Sequence, residues 1–555
     1  MKKIIILLLS VVLFAGCFGF SGCRVKTKKD EYTSDGKMII EYFGINIDAL
    51  QSRTKTTDRI ITYIEDKFGI EFDFVSGGSV DWLGQLNRKI ADGDVPDMFF
   101  HDAKDPSYTT WREEKYLMDY TPYLNDYPNL KACFESYSPE MKEYLGGAWY
   151  GMPLKLNDDV EGYVTNEQAM YYRRDWYENV KDYRPDNKYA DSQHSAIKDP
   201  EDPTFDYIDF YNLCEAFAKG DPDGNGKDDT YGYAFAGKDT GSYWFWPIFS
   251  MFNVAYDGWT KEADGSYSAQ IVSDEMKEAV FFMADMYDNR LLASNYSSSL
   301  TSANLYTDFA TGRFGIMTTS SSYNNSVNIL TQQAPNIPEG GDITDVVRGM
   351  PIVTGKDGVK RALGVYNFYG FTSVCNDISD AKKEKILQLM NWMLSEEGMM
   401  VLEYGLEGEQ YEIGENGEIK SLLGIDRNGN ANYLYSDEVG PGLFEFKGIV
   451  SWRKNNLPKY VPYYEAAKSI SDAWGEDFEH LVLNPFMYMR LDPSYNLIET
   501  NVKNQIDSCL KNIIASTNNK PANFRENTWN DFVSFFNGET KYIKAVNDWA
   551  KENLG

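Results

Sequence analysis

The densest set of chemistry-bearing side chains lies in nine consecutive residues, Asp221-Pro222-Asp223-Gly224-Asn225-Gly226-Lys227-Asp228-Asp229. Counted from Asp221, side-chain oxygens fall at positions 1, 3, 5 and 9, with glycine at position 6. In such a loop alternate residues point inward, the glycine permits a sharp turn and position 7 offers its carbonyl, which is the donor pattern for calcium. The predicted ligands are Asp221, Asp223, Asn225, the carbonyl of Lys227 and Asp229. Position 12, where a helix-loop-helix hand carries a bidentate Glu, is Gly232. The expectation is therefore a single structural calcium loop between a helix and an extended segment starting near Tyr231.

No comparable pattern points to catalysis. The three histidines, His101, His194 and His480, are far apart in sequence. No H-x-x-x-H pair, G-x-S-x-G elbow, P-loop or G-x-G-x-x-G fingerprint occurs. Glycosidic hydrolysis needs two carboxylates flanking the bond, and no spacing singles out such a pair. No catalytic residue is assigned.

The charge balance narrows the partners. Against 84 Asp and Glu stand 54 Lys and Arg, a formal charge of -30 over 555 residues. Nucleic acid needs a basic footprint, so it is excluded as a main partner, and so is wholesale adsorption to an anionic membrane. With 12 Trp, 40 Tyr and 31 Phe the chain is too aromatic to be disordered. Some of those rings are expected to line a surface that stacks on a ligand.

The N-terminus sets the compartment. Lys2 and Lys3 precede an apolar run from Ile4 to Phe14, followed by Ala15, Gly16 and Cys17. This is the order of a secretory signal, and the run is too short for a permanent span. Phe14-Ala15-Gly16-Cys17 resembles the lipobox of bacterial lipoproteins, with Phe where Leu is usual; Phe20-Ser21-Gly22-Cys23 offers a second such box. Residues 1–16 are assigned to the signal peptide, Cys17 to lipidation and 17–37 to a polar tether. Cys133, Cys214, Cys375 and Cys509 lie far apart, as neither a disulfide framework nor a zinc site would have them.

Several elements must position these residues. Met38 to Phe43 and Ile70 to Phe74 read as strands, and Ile60, Ile61, Ile64 and Phe68 keep a helical period behind a Thr57 cap. Leu83, Leu86 and Ile90 predict a second helix before a strand in Val95 to Phe100. The resulting β-α-β-α-β order predicts an α/β domain with a mainly parallel sheet. Trp149 to Pro153 reads as an extended crossing, Asp182 to Asp206 as an exposed insertion, and Asp264-Gly265 and Asn416-Gly417 as hairpin turns. A long helix is predicted over Ala381 to Leu402, and helices dominate the last hundred residues.

Ile90-Ala91-Asp92-Gly93-Asp94-Val95-Pro96-Asp97 resembles the I-A-S-G-D-x-P-D segment of extracellular solute-binding proteins for sugars, the capture components of ABC transporters. Further segments similar to that family follow in its order: Trp149 to Pro153, Tyr172 to Trp176, the calcium loop, Gly312 to Met317, Gly355 to Gly358, Ser395 to Gly398 and Tyr404 to Gly408. The likeness runs over nearly all of residues 38 to 550. Long members with this loop often carry Glu after its last Asp, where this chain has Thr230.

The resemblance implies a type II periplasmic-binding-protein-like clamp of two α/β lobes, interleaved in sequence, with a largely helical C-terminal region. It places 37–152 and about 305–365 in one lobe, and 153–304 and about 366–555 in the other. The implied activity is non-enzymatic: capture of an oligosaccharide at the outer face of the bacterial cell membrane by a lipid-anchored monomer, and delivery to the permease subunits of an ABC importer. A secreted, calcium-containing carbohydrate-active enzyme, a lyase or glycosidase, is the alternative. A sugar cleft needs flat rings for C–H faces and planar polar groups for hydroxyls. Candidates are Trp82, Tyr172, Trp244, Trp246, Tyr369 and Trp452, with Asp102, Arg174, Asn367 and Arg453 as polar partners. Trp176 and Trp392 are assigned to core packing.

Overall fold

A computed structural model describes residues 29–45, 47–51, 59–77, 82–101, 105, 107–135, 139–153, 168–240, 245–320, 323–364, 370–414, 419–424, 463–475, 481–483, 485–489, 491–516 and 520–554. The apolar periods at the start of the chain fold as expected. Strand β1 (Met38–Gly44) and strand β2 (Ile70–Ser76) flank the helix Arg59–Phe68, and the helix Trp82–Ala91 leads to β3 (Met98–His101). β1 lies between the other two, parallel to both, with Met38 opposite Ile70 and Tyr42 opposite Met98. Alternation of buried and partly exposed residues in β2 is that of a strand with one face on a core. The Thr57 cap lies outside the described residues.

Two later segments complete this sheet: β4 (Met152–Pro153), and a strand from far down the chain, Phe371–Val374, which runs antiparallel to both β3 and β4. The segment Trp149 to Pro153, expected as a crossing, thus ends in an edge strand. All four residues of Phe371–Val374 are buried. Around this sheet packs a first core, drawn from residues 40–152 and 371–402.

A second core is built by a different sheet. β5 (Gln168–Arg173) pairs antiparallel with β7 (Phe314–Ser320), β6 (Tyr231–Phe235) lies parallel to β7, and β8 (Val347–Gly349) pairs antiparallel with β5. The helix Tyr207–Lys219 packs on this sheet and is buried from Asp209 to Ala218. The helices Asn496–Ile514, Phe524–Gly538 and Thr540–Asn553 add their apolar faces, as the C-terminal periodicity predicts.

Each core collects segments distant in sequence, so among the described residues the chain changes core three times, after Pro153, after Val353 and after Leu423. The expected division assigned about 305–365 to the first lobe and everything after 366 to the second. The packing reverses that exchange. Residues 305–353 belong to the second core, and 371–402 to the first. The reason is strand pairing: β7 bonds to β5 and β6, whereas Phe371–Val374 bonds to β3.

Two local expectations also change. The helix predicted over 381–402 is two helices, Asp380–Met393 and Glu396–Tyr404, because Ser395 caps the second through its Oγ on the Gly398 N–H at 3.1 Å. The insertion at 182–206 is only partly exposed; His194, Ile197 and Phe205 are buried. Its Asn187 side chain hydrogen-bonds Asn212 and Glu215, polar residues of the helix Tyr207–Lys219. The Asp264-Gly265 hairpin forms as predicted, between Trp259–Lys261 and Tyr267–Ala269. Strands Tyr411–Ile413 and Ile419–Ser421 pair around Asn416-Gly417, which lies outside the described residues. The four body cysteines are buried.

Candidate functional site

The loop at 221–229 is held between two rigid elements. It leaves the helix Tyr207–Lys219 through Gly220 and enters β6 at Tyr231. Asp221 folds back so that both its carboxylate oxygens accept the Gly226 N–H at 3.1 Å, and Gly226 itself needs a φ of +73°. The Asn225 amide reaches Asp223 at 2.7 Å and Asp229 at 3.3 Å, which draws three of the predicted ligands together. Lys227 donates its N–H to Asn225 Oδ1 at 2.8 Å. An all-oxygen set with three carboxylates, an amide and a carbonyl suits a hard cation such as calcium.

Three further residues explain why the loop departs from a helix-loop-helix hand. Asp228 is turned away, bonded to Arg290 at 3.0 Å. Thr230 points inward, its hydroxyl on the Phe217 carbonyl at 2.7 Å, so it is no ligand. At Gly232 a Cβ would sit 2.4 Å from the Cys214 carbonyl and 2.6 Å from its Cα. β6 lies too close to the helix for any side chain there. Restoring the missing ligand with Gly232→Glu is therefore expected to cost at least about 1–3 kcal/mol by overpacking. Thermal melts should show a lower Tm at every calcium concentration.

The ligand-binding candidates distribute unevenly. Trp82 opens the helix after β2 and lies half-buried, 5.5 Å from the half-buried ring of Phe100 in β3. Both stand at the carboxyl ends of parallel strands, the edge at which open α/β sheets bind ligands. Phe100 was not among the predicted residues. Its signal is the Phe99-Phe100 pair, since neighbouring strand residues face opposite ways and Phe99 is fully buried.

Three candidates have other duties. Tyr172 is fully buried in the second core, with its hydroxyl on Glu201 at 3.0 Å, and burial pushes its phenol pKa up. Arg174 is bonded to Asp199 at 2.8 Å and Glu178 at 2.7 Å and lies over the Tyr177 ring. Trp246 is buried beside Ala255 and Tyr256. These are packing positions, and a strand or short helix pattern does not reveal which face meets solvent. Asp102, Trp244, Asn367, Tyr369, Trp452, Arg453 and Cys17 lie outside the described residues.

A surface depression of about 350 Å³ opens elsewhere, between the insertion and the helix Asp274–Asp288. Its cations Lys188, Lys356 and Arg525 are each paired with an acid, Asp285, Glu278 and Asp288. Another cluster escaped the sequence. His194 holds Asp191 through Nδ1 at 2.9 Å and Asp206 through Nε2 at 3.1 Å, beside Asp209. Burial opposes charge on His194, but the bonds to Asp191 and Asp206 outweigh it and raise its pKa.

Comparison with known proteins places this geometry. The sequence profile described as bacterial extracellular solute-binding protein matches residues 52–400. The chain belongs to that family. As a solute-binding protein it is 25% identical over 390 residues to lipoprotein LipO of Bacillus subtilis, covering 69% of this chain and 67% of LipO. It is also 25% identical to the polygalacturonan/rhamnogalacturonan-binding protein YtcQ of Bacillus subtilis, over 75% of each.

Among solved structures, the ABC-transporter substrate-binding protein FusA of Streptococcus pneumoniae, in complex with kestose, superposes with a TM-score of 0.64 at 17% identity. The match covers 93% of this chain and 99% of that one. A second FusA structure, an EF-hand mutant with fructo-nystose, gives a TM-score of 0.62 at 16% identity, with the same coverage. The fold is thus that of the type II periplasmic-binding-protein-like solute-binding proteins, as expected. Among the described residues no helix is long and apolar enough to cross a membrane.

Proposed function

We propose that this solute-binding protein captures an oligosaccharide outside the cell and delivers it to the permease subunits of an ABC importer. The observation that carries the reading is the half-buried Trp82–Phe100 pair at the carboxyl edge of the first sheet, in a fold with two separate cores. Such rings offer flat apolar faces for sugar C–H groups. The names of YtcQ, a polygalacturonan/rhamnogalacturonan-binding protein, and FusA, a fructooligosaccharide substrate-binding protein, support a carbohydrate as the solute. Closure of the two lobes about the crossings would wrap the ligand. Asp102, Asn367, Tyr369, Trp244, Trp452 and Arg453 remain the proposed further contacts, calcium in the 221–229 loop the structural ion, and Cys17 the lipid anchor of a monomer.

Isothermal titration against a panel of neutral and acidic oligosaccharides tests this. Binding to at least one is expected, and Trp82→Ala should weaken it by about 10-fold or more, the cost of truncating a central aromatic anchor. Inertness toward every glycan of the panel would remove the reading.

A further inference from the structure

The His194 cluster ties the insertion to the start of the helix Tyr207–Lys219. Asp206 caps that helix, with Oδ1 accepting the N–H groups of Ile208 and Asp209 at 2.9 and 3.0 Å. Its other oxygen, Oδ2, faces Nε2 of His194. Asp209 is only 2% exposed. Its Oδ2 accepts Lys198 at 2.6 Å and the Asp206 N–H at 3.2 Å, while Oδ1, equally buried, meets no hydrogen-bond donor. A buried carboxylate oxygen without a partner is costly, and Asp209 stands with His194 and Asp206 in a cluster in which one ligand atom of each residue lies within 4.8 Å of the others.

We propose that His194 Nε2, Asp206 Oδ2 and Asp209 Oδ1 bind a divalent transition-metal ion, zinc by their donor chemistry. One imidazole and two carboxylates form a borderline set that zinc accepts at about 2.0–2.2 Å, leaving a fourth position for water. Tetrahedral bonds of that length set ligand atoms about 3.3 Å apart, and Nε2 and Oδ2 stand 3.1 Å apart. Asp191 holds Nδ1 of His194, which orients the ring and raises its basicity as carboxylates do behind metal-bound histidines. Lys198 bonds Oδ2 of Asp209 and not Oδ1, and its charge balances one of the three carboxylates. The ion would clamp residues 191–198 to the helix that leads into the 221–229 loop. This site is separate in residues and chemistry from that loop, and it does not depend on what the protein carries.

The test uses the full mature chain, stripped of metal and then held in excess calcium so that the 221–229 loop is not the site read. Titration with zinc alone is expected to show one equivalent taken up, and cobalt alone to give the visible absorption of a four-coordinate nitrogen–oxygen site. Asp191→Asn should weaken zinc by about 10- to 100-fold. His194→Gln and Asp209→Asn should abolish uptake, whereas Asp223→Ala should leave it unchanged. His194→Gln keeps hydrogen-bonding capacity, and its metal-free melting curve verifies the fold. A proton and the metal compete for Nε2, so a cluster bridged by imidazolium alone would take up no zinc. Either that result, or uptake undiminished in both His194→Gln and Asp209→Asn, overturns the proposal.

Discussion

Chelation of calcium is expected to lower the melting temperature of the wild-type protein by several degrees, and Asp223→Ala is expected to melt at the low temperature with or without calcium. The loop donors are the reason for both expectations. Asp221, Asp223 and Asp229 crowd three carboxylates around one amide and one turn, bonded to N–H groups. A bound cation would relieve their mutual repulsion and would bind only the folded loop. Without a bidentate acid at position 12, the affinity should fall in the weaker part of the calcium-loop range. At 100 times the Kd, ligation stabilises the folded state by about 2.7 kcal/mol. That stabilisation reaches the second core, because the loop joins the helix Tyr207–Lys219, buried along nearly its whole length, to a strand of its sheet. Asp228→Asn supplies the control: its carboxylate faces Arg290 and not the loop interior, so the calcium response should persist. Equal melting curves with and without chelator would sink the calcium assignment.

What could be read from the sequence was local. The 221–229 loop is nine consecutive residues whose geometry depends on their own turns, and local hydrogen bonds draw Asp223, Asn225 and Asp229 together. The first three strands and their helices were also legible, since each keeps one clean period and short connections bring neighbours together. Strand partnership across the chain was not. β7 is buried on both faces, as is Phe371–Val374. Two such runs look alike in sequence, and nothing local says which sheet accepts which; hence the exchange of 305–365 with 371–402. The same blindness misplaced Tyr172 and Trp246, whose rings turn into a core. The break between the helices Asp380–Met393 and Glu396–Tyr404 did leave a signal. Ser395 is followed by Glu396 and Glu397, an N-cap with acids in the first turn. The apolar face running through it concealed the stop.

The second large effect concerns Asp97, the last residue of the segment that carried the family resemblance. Its neighbours tie it into the fold. Asp97 Oδ2 accepts Lys382 Nζ at 2.7 Å and the Glu41 N–H at 3.0 Å, and Asp97 and Lys382 are 2% and 4% exposed. The pair links β1 and the entry to β3 with the helix Asp380–Met393, joining the part of the first core made before the excursion through the second to the part made after it. Lys382→Met removes the cation and leaves a buried carboxylate uncompensated, which costs about 3–5 kcal/mol. Denaturant unfolding followed by a probe in the first core should read that loss. Asp97→Asn alone leaves the ammonium buried with a weaker acceptor and is also destabilising. The double variant Asp97→Asn/Lys382→Met should lose less than the sum of the two, with a coupling of at least about 1 kcal/mol. A Lys382→Met protein within about 1 kcal/mol of wild type, well inside the cost of an orphaned buried charge, would show that the first core closes without this pair.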